Sequence, residues 1–147
     1  MTKYIIIPLL LITSSIFADD LSSKATLLTQ VLNSIGSKEL AKGFVESTVI
    51  GKAFGMIKDE ESNKKLESLV KKSVEGTAIQ NYTEAELQVI SEMINSSDVH
   101  KSLCIKMLVN GITTDPKTTM SFSKLMMEGS KRMMSELKEE TKVIENE

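Results

Sequence analysis

The chain is poor in most of the residues from which site chemistry is built. It has no tryptophan, one cysteine (Cys104), one histidine (His100), two prolines and an aromatic content of 4%. A single cysteine excludes an internal disulfide and a thiolate zinc cage. A single histidine excludes an imidazole-rich metal site. An excess of one charge is missing too: 18 Lys and Arg stand against 20 Asp and Glu, a formal net charge of -2, which is no footprint for nucleic acid. No glycine-rich phosphate loop, nucleophile elbow or HExxH pattern occurs. No pair of carboxylates stands out for acid–base work, since Glu84 and Glu86 fall on different sides of a helix.

Long apolar runs are missing as well. The longest, Tyr4 to Ile12, is broken by Pro8 and is far short of the roughly 20 residues that a membrane-crossing helix needs. It follows Lys3 and precedes Thr13, Ser14 and Ser15, with Ile16 and Ala18 at the third and first positions before a cut. This order of positive, apolar and small residues predicts a secretory signal peptide over residues 1–18, cleaved between Ala18 and Asp19. The alternative, a retained anchor, is disfavoured by the shortness of the run, and no cysteine near the cut offers a lipid attachment. Cleavage leaves 129 residues with 17 basic and 20 acidic side chains. No transmembrane span is expected in this mature chain. It divides into one helical domain, residues 19–142, and a polar tail, residues 143–147.

What the mature chain does have is helical periodicity. It contains no alternating strand pattern, no hairpin dipeptide and one proline, Pro116, so the expected fold is all-α, a bundle of about six helices. The first is expected from Asp20 as N-cap to Ile35, with Leu21, Ala25, Leu28, Leu32 and Ile35 on one face and Gly36 stopping it. The second runs from Ser37 to about Ile57. Its small-residue stripe, Ser47, Thr48, Gly51 and Gly55, would admit another helix closely. Glu46 and Lys52 argue against reading the Gly51–Gly55 spacing as a membrane dimer motif. After a charged turn, Lys58 to Glu61, the third helix turns Leu66, Leu69, Val70, Val74 and Thr77 inward. The fourth opens on a capping box, Thr83 to Glu86, and buries Leu87, Ile90 and Ile94. The fifth, Val99 to Asn110, is apolar almost all round and is expected to be central and buried. Asp115 as N-cap and Pro116 at the first helical position open the last helix, expected to reach about Glu140. With only Phe44, Phe54, Tyr82 and Phe122 as mature aromatics, the core must rest on Leu, Ile, Val and Met.

Two constellations could carry chemistry. His100 and Cys104, four apart, are neighbours on a helix and could form a Cys–His nucleophilic pair or half of a metal site. No third group orients the imidazole and no further His or Cys completes a metal shell, so a packed thiol beside a rim histidine is the expectation. The last helix carries two apolar stripes. Phe122, Leu125, Met126, Gly129, Met133 and Leu137 form one. Met120, Met127 and Met134, spaced by seven, form the other. One stripe suffices to dock a helix on its own domain. The second has three explanations: a groove between two neighbouring helices, a homodimer or partner interface suited to adaptable methionine, or thioether ligation of Cu(I).

The segment Tyr82-Thr83-Glu84-Ala85-Glu86-Leu87, followed by Ile90-Ser91-Glu92-Met93-Ile94-Asn95-Ser96, resembles a family of exported, all-helical bacterial proteins of unknown function. Their signature is an aromatic-Thr-Glu-x-Glu-Leu helix start, an apolar-aromatic pair, then Ser-Pro-x-Gly and a basic residue. Here Ser97 and Val99 replace the Pro and Gly, and Met93 and Ile94 the aromatic pair. The methionine-rich last helix is similar to that family's C-terminal region. The resemblance, over about Leu21 to Glu140, implies a periplasmic helical protein and supplies no catalytic residues. The resulting expectation is an exported, non-enzymatic bundle without cofactor or metal, acting by protein–protein interaction, as a homodimer or on an envelope partner, through Met120, Met127 and Met134. The alternatives are a Cys–His enzyme and a carrier of small apolar ligands.

Overall fold

The computed structural model describes the backbone of residues 6–144 and the side chains of residues 21–142. Among these residues there are seven α-helices and no strand: α1 (Ile6–Ile35), α2 (Ser37–Ser47), α3 (Val49–Phe54), α4 (Glu60–Asn81), α5 (Glu84–Ser96), α6 (Asp98–Ile112) and α7 (Pro116–Ile144). The expected cut between Ala18 and Asp19 falls among residues whose side chains lie outside the described set, as does the polar tail at residues 143–147.

Helix boundaries follow the local chemistry of the orphan amides at each helix start. Gly36 ends α1 with φ 87°, a left-handed conformation that costs glycine no Cβ clash. Its N–H donates to the Leu32 carbonyl at 2.9 Å. Thr83 and Glu86 form the expected capping box at α5: the Glu86 amide donates to Thr83 Oγ1 at 3.2 Å and the Thr83 amide donates to the Glu86 carboxylate at 2.7 Å. Ser97 caps α6. Asp115 Oδ2 accepts from the Thr118 amide at 3.0 Å at the start of α7.

Three boundaries differ from expectation. Asp20 is not an N-cap, because α1 begins at Ile6: no glycine interrupts the chain before Gly36, and nothing else near Asp20 breaks a helix. The expected single helix from Ser37 to Ile57 is two. The break is at Thr48, an extended residue (φ -114°, ψ 152°). Its hydroxyl donates to the Phe44 carbonyl at 2.8 Å and accepts from the Gly51 amide at 2.9 Å. One β-branched side chain thus ends α2 and starts α3, competing with the helical ladder as threonine can. The small stripe serves this fold-back and not a third helix: a Cβ on Gly51 would run into the Phe44 carbonyl, and one on Gly55 would press on Val45. Close approach of another helix occurs instead at Gly43, against Ile105 of α6. Finally, α7 continues past Glu140 to Ile144.

A single apolar core joins all seven helices, which makes the chain a one-domain all-α bundle. Helices α2, α4 and α6 pack on one another. Helices α1 and α5 lie together, α1 also reaching α4 and α5 reaching α6, while α7 lies against α4. Leu28, Val31, Leu32 and Ile35 are the buried stripe of α1; Leu21 and Ala25, expected on it, are exposed. On α4 the buried row is Leu66, Val70, Val74 and Ala78, with Leu69 and Thr77 half-buried beside it. Phe44, Phe54 and Phe122 are the largest fully buried side chains. Each contributes about 1.5–3 kcal/mol by leaving water.

The fifth expected helix, α6, is not buried all round. Cys104, Ile105, Leu108, Val109 and Ile112 are in the core, but Val99, Leu103 and Met107 are exposed. Neighbours α2, α4 and α5 cover its other sides and leave this row uncovered. A continuous apolar pattern reported the sum of a buried stripe and an open one, two situations that hydropathy cannot separate.

Candidate functional site: the outward face of the last helix

Helix α7 is attached along one side only. Near its start the Phe122 ring stacks on Phe44 with centroids 4.5 Å apart and planes at 23°. Leu125 is buried behind it, and Met126 and Met133 are partly buried against the core. Gly129 lets the helix lie directly over the start of α4, because a Cβ there would meet Ser62 Oγ and Ile57 Cγ2. Leu137 does not extend this stripe, as expected; at 60% exposure it lies beyond the end of the contact with α4.

One turn past Gly129 a polar tie fastens the helix. Arg132 Nε donates to Asp59 Oδ2 at 2.8 Å and its terminal nitrogen to Ser62 Oγ at 2.7 Å, with Glu61 at 3.6 Å completing the cluster. Ser62 Oγ donates to Asp59 Oδ2 in turn. Asp59 is also the N-cap of α4, accepting from the Glu61 and Ser62 amides. Hydrogen bonds from Ser62 and then Arg132 hold the Asp59 carboxyl down at about 2. The tie was legible only in part. Asp59 ahead of two glutamates and an apolar-periodic run is an N-cap signature, but nothing local marks Arg132, 73 residues away, as its partner.

A pH dependence follows with a definite sign. A carboxyl whose folded pKa is depressed binds protons more readily in the unfolded chain. Its stabilisation is therefore present above its ordinary value of 3.8 and is lost as the pH falls through that value towards about 2. Asp115, Glu86 and Glu61 shift in the same direction, through Thr118, Thr83 and Lys65 respectively. Arg132→Gln and Asp59→Asn are each expected to flatten the decline of melting temperature between about pH 5 and about pH 2. An unchanged slope in both variants would show that the tie does not hold α7.

The opposite side of α7 carries the second methionine stripe. Met120, Met127 and Met134 are 74%, 59% and 60% exposed. Of the three explanations for this stripe, the groove between two neighbouring helices is therefore ruled out: α7 has a neighbour on its core side and none over this row among the described residues. Copper ligation finds no geometric support either. Sulfurs seven residues apart are about 10.5 Å apart along the axis, and adjacent methionines point about 100° apart, too far in both cases to share one ion. Among the described residues no three His, Cys, Asp or Glu side chains gather as a metal site.

The structure does not assemble His100 and Cys104 into a nucleophilic pair. His100 is exposed and its Nδ1 shares a hydrogen bond of 2.8 Å with Ser96 Oγ. Cys104 is fully buried, and burial pushes its thiol up, away from the thiolate form. Alkylation of Cys104 in the native protein should be slower than in urea by about a hundredfold or more, because labelling requires opening of the core. Comparable rates in the two conditions would place the thiol at the surface.

Sequence reading missed a second apolar feature. Tyr82, Val89, Ile90, Met93 and Met107 line a groove of about 330 Å³ between α5 and α6, with Glu86 at its edge. Burial raises the Tyr82 hydroxyl pKa, with Glu86 and Cys104 adding to the shift. The signal was present as Val89, an apolar residue outside the predicted core stripes, whereas Met107 belongs to the helix expected to be buried all round. Among the described residues no helix is long and apolar enough to cross a membrane. Compared with family models, curated proteins and solved structures, the chain matches none of them.

Proposed function

We propose that the protein is an exported, non-enzymatic helical bundle that works by docking another protein on the outward face of α7. The observation that carries this reading is the exposure of three seven-spaced methionines on a helix whose attachment lies entirely on its other side. Thioether side chains are flexible and polarisable and suit an adaptable contact. An exposed apolar row on a helix is the usual form of a helix-in-groove partner. Export rests on the order of residues before Ala18 and on the resemblance around Thr83. Its test is the N-terminus of the protein recovered from the cell envelope: Asp19 supports cleavage, and Met1 or Thr2 opposes it.

The docking reading is tested by affinity capture from the envelope fraction, using the protein and a variant with Met120, Met127 and Met134 changed to Ser. All three are exposed, so the variant should keep its fold, with stability changed by less than about 0.5 kcal/mol. Loss of the captured species in the variant is the expected result. Equal capture by both forms would defeat the proposed interface.

A further inference from the structure

We propose that the partner docked by α7 is a second copy of this chain, whose groove between α5 and α6 receives the methionine face. This rests on the docking reading above and names its occupant.

The argument begins with a segregation of charge on α7. Lys117, Lys124, Lys131 and Lys138 repeat every seven residues, in step with Met120, Met127 and Met134. At about 100° per residue the lysine row runs within about 80° of Met127, to one side of it, and the serines Ser123 and Ser130 flank the other side. The acidic residues of α7 are Glu128, Glu136, Glu139 and Glu140. The nearest of them to Met127 on the wheel, Glu128, is about 100° round. In a chain whose overall charge is -2, the face that carries the exposed methionines bears four lysines, with one carboxylate, Glu128, at its margin. Its occupant must offer apolar surface together with carboxylates.

The molecule itself has such a surface. Helix α5 carries no basic residue, and its carboxylates at or near the groove are Glu86, which lines it, and the exposed Glu92; Glu84 lies on the other side, accepting from Ser23 Oγ of α1 at 2.7 Å. The Glu86 carboxylate is held in place at the edge of the apolar groove by the Thr83 amide. Val89 and Met107 on the two walls are half-exposed, at 55% and 48%. Lengths agree as well: Met120 to Met134 spans about 21 Å, and the 13 residues of α5 span about 20 Å. A ridge of methionines entering a groove between two helices, with lysines meeting the Glu86 carboxylate at its edge, is a helix-in-groove contact with an electrostatic register. Pairing of α7 with α7 does not satisfy the same chemistry, because an antiparallel pair sets the two lysine rows against each other. The two surfaces are separate on one molecule, since α7 packs on α4 while α5 packs on α1 and α6. The contact is therefore heterologous.

Sedimentation of the purified protein over a concentration series tests this. The expected result is an average mass that rises with concentration and falls back as salt rises from about 0.1 M to about 1 M, where screening shortens from about 10 Å to about 3 Å. A ridge variant, Lys124→Glu with Lys131→Glu, and a groove variant, Val89→Lys with Met107→Lys, should each weaken association by about tenfold or more. All four positions are exposed, and circular dichroism checks that each variant stays folded. Mixing the two variants then decides the geometry. The groove variant keeps an intact ridge and the ridge variant an intact groove, so the mixture should form a one-to-one dimer that neither forms alone. A protein that stays monomeric throughout, variants that associate like the parent, or a mixture that stays monomeric would each overturn the proposal. So would co-sedimentation with phosphatidylglycerol vesicles by a chain that does not self-associate, or a native mass spectrum showing lipid in the groove. If the parent is monomeric yet the methionine variant still loses captured protein, the docking reading stands and only the second copy falls. If capture is unchanged as well, both fall.

Discussion

Replacing Phe122 by alanine is expected to destabilise the protein by about 3–5 kcal/mol. The ring is 1% exposed and stacked on Phe44, so its removal forfeits both its transfer from water and the contacts around the cavity left behind. A domain of this kind has about 5–15 kcal/mol in total, so the loss is a large share. For a chain of about this length, each kcal/mol corresponds to about 2–4 °C in melting temperature. The consequence for α7 is specific. The helix is attached by Phe122, Leu125, the Gly129 seat and the Arg132 tie, and losing the first of these leaves its first three turns with one buried apolar anchor. Hydrogen exchange should show α7 opening before α2 and α4. An unfolding free energy from urea titration lowered by less than about 1 kcal/mol would mean that the Phe44–Phe122 stack is not the principal attachment.

The second large effect is a pair of identical substitutions with opposite signs. Gly51→Ala should cost about 1–3 kcal/mol or more, because the new methyl meets the Phe44 carbonyl and Thr48 Oγ1. Both are fixed: the carbonyl is backbone, and the hydroxyl is the cap that joins α2 to α3. Gly76→Ala should stabilise by about 0.5–1 kcal/mol, since that glycine lies within α4 with nothing within 4 Å of a Cβ and only loses the entropy that glycine brings to an unfolded chain. Thermal melting of the two variants beside the parent suffices. A Gly51→Ala variant as stable as the parent would show that Gly51 does not lie against the Phe44 carbonyl, and a destabilised Gly76→Ala variant that Gly76 is not in open space.

Much of the fold was legible because it depends on local chemistry. The capping box at Thr83, the Asp115–Pro116 start of α7 and the stop at Gly36 each act within four residues, and each is found where the sequence placed it. Cys104 is buried, as free thiols commonly are. The misreadings share one cause. At Asp20 and at Thr48 a residue with both helical and capping uses stood alone, and its choice depended on what surrounded it. Asp20 stays within α1; Thr48 breaks a helix because Gly51 lets the chain fold back. Leu21, Leu137, Val99, Leu103 and Met107 look like core residues in the pattern and are exposed in the structure, since periodicity says which side of a helix is apolar and not whether anything covers it.

The candidate site shows the same division. The seven-residue repeat of methionine in α7, and the lysine repeat in step with it, are properties of the chain order alone. That the methionine row faces outward was decided by the attachment of α7 to α4, through Phe122, Gly129 and the Arg132–Asp59 tie. That tie joins residues 73 positions apart, and no local propensity encodes it. Helical class, caps and stripes were determined by the sequence itself, because a few neighbouring residues suffice to satisfy amides and set an apolar period. Which stripe is covered and which is left open was decided only in the tertiary structure, because burial depends on which helices compete for the same surface.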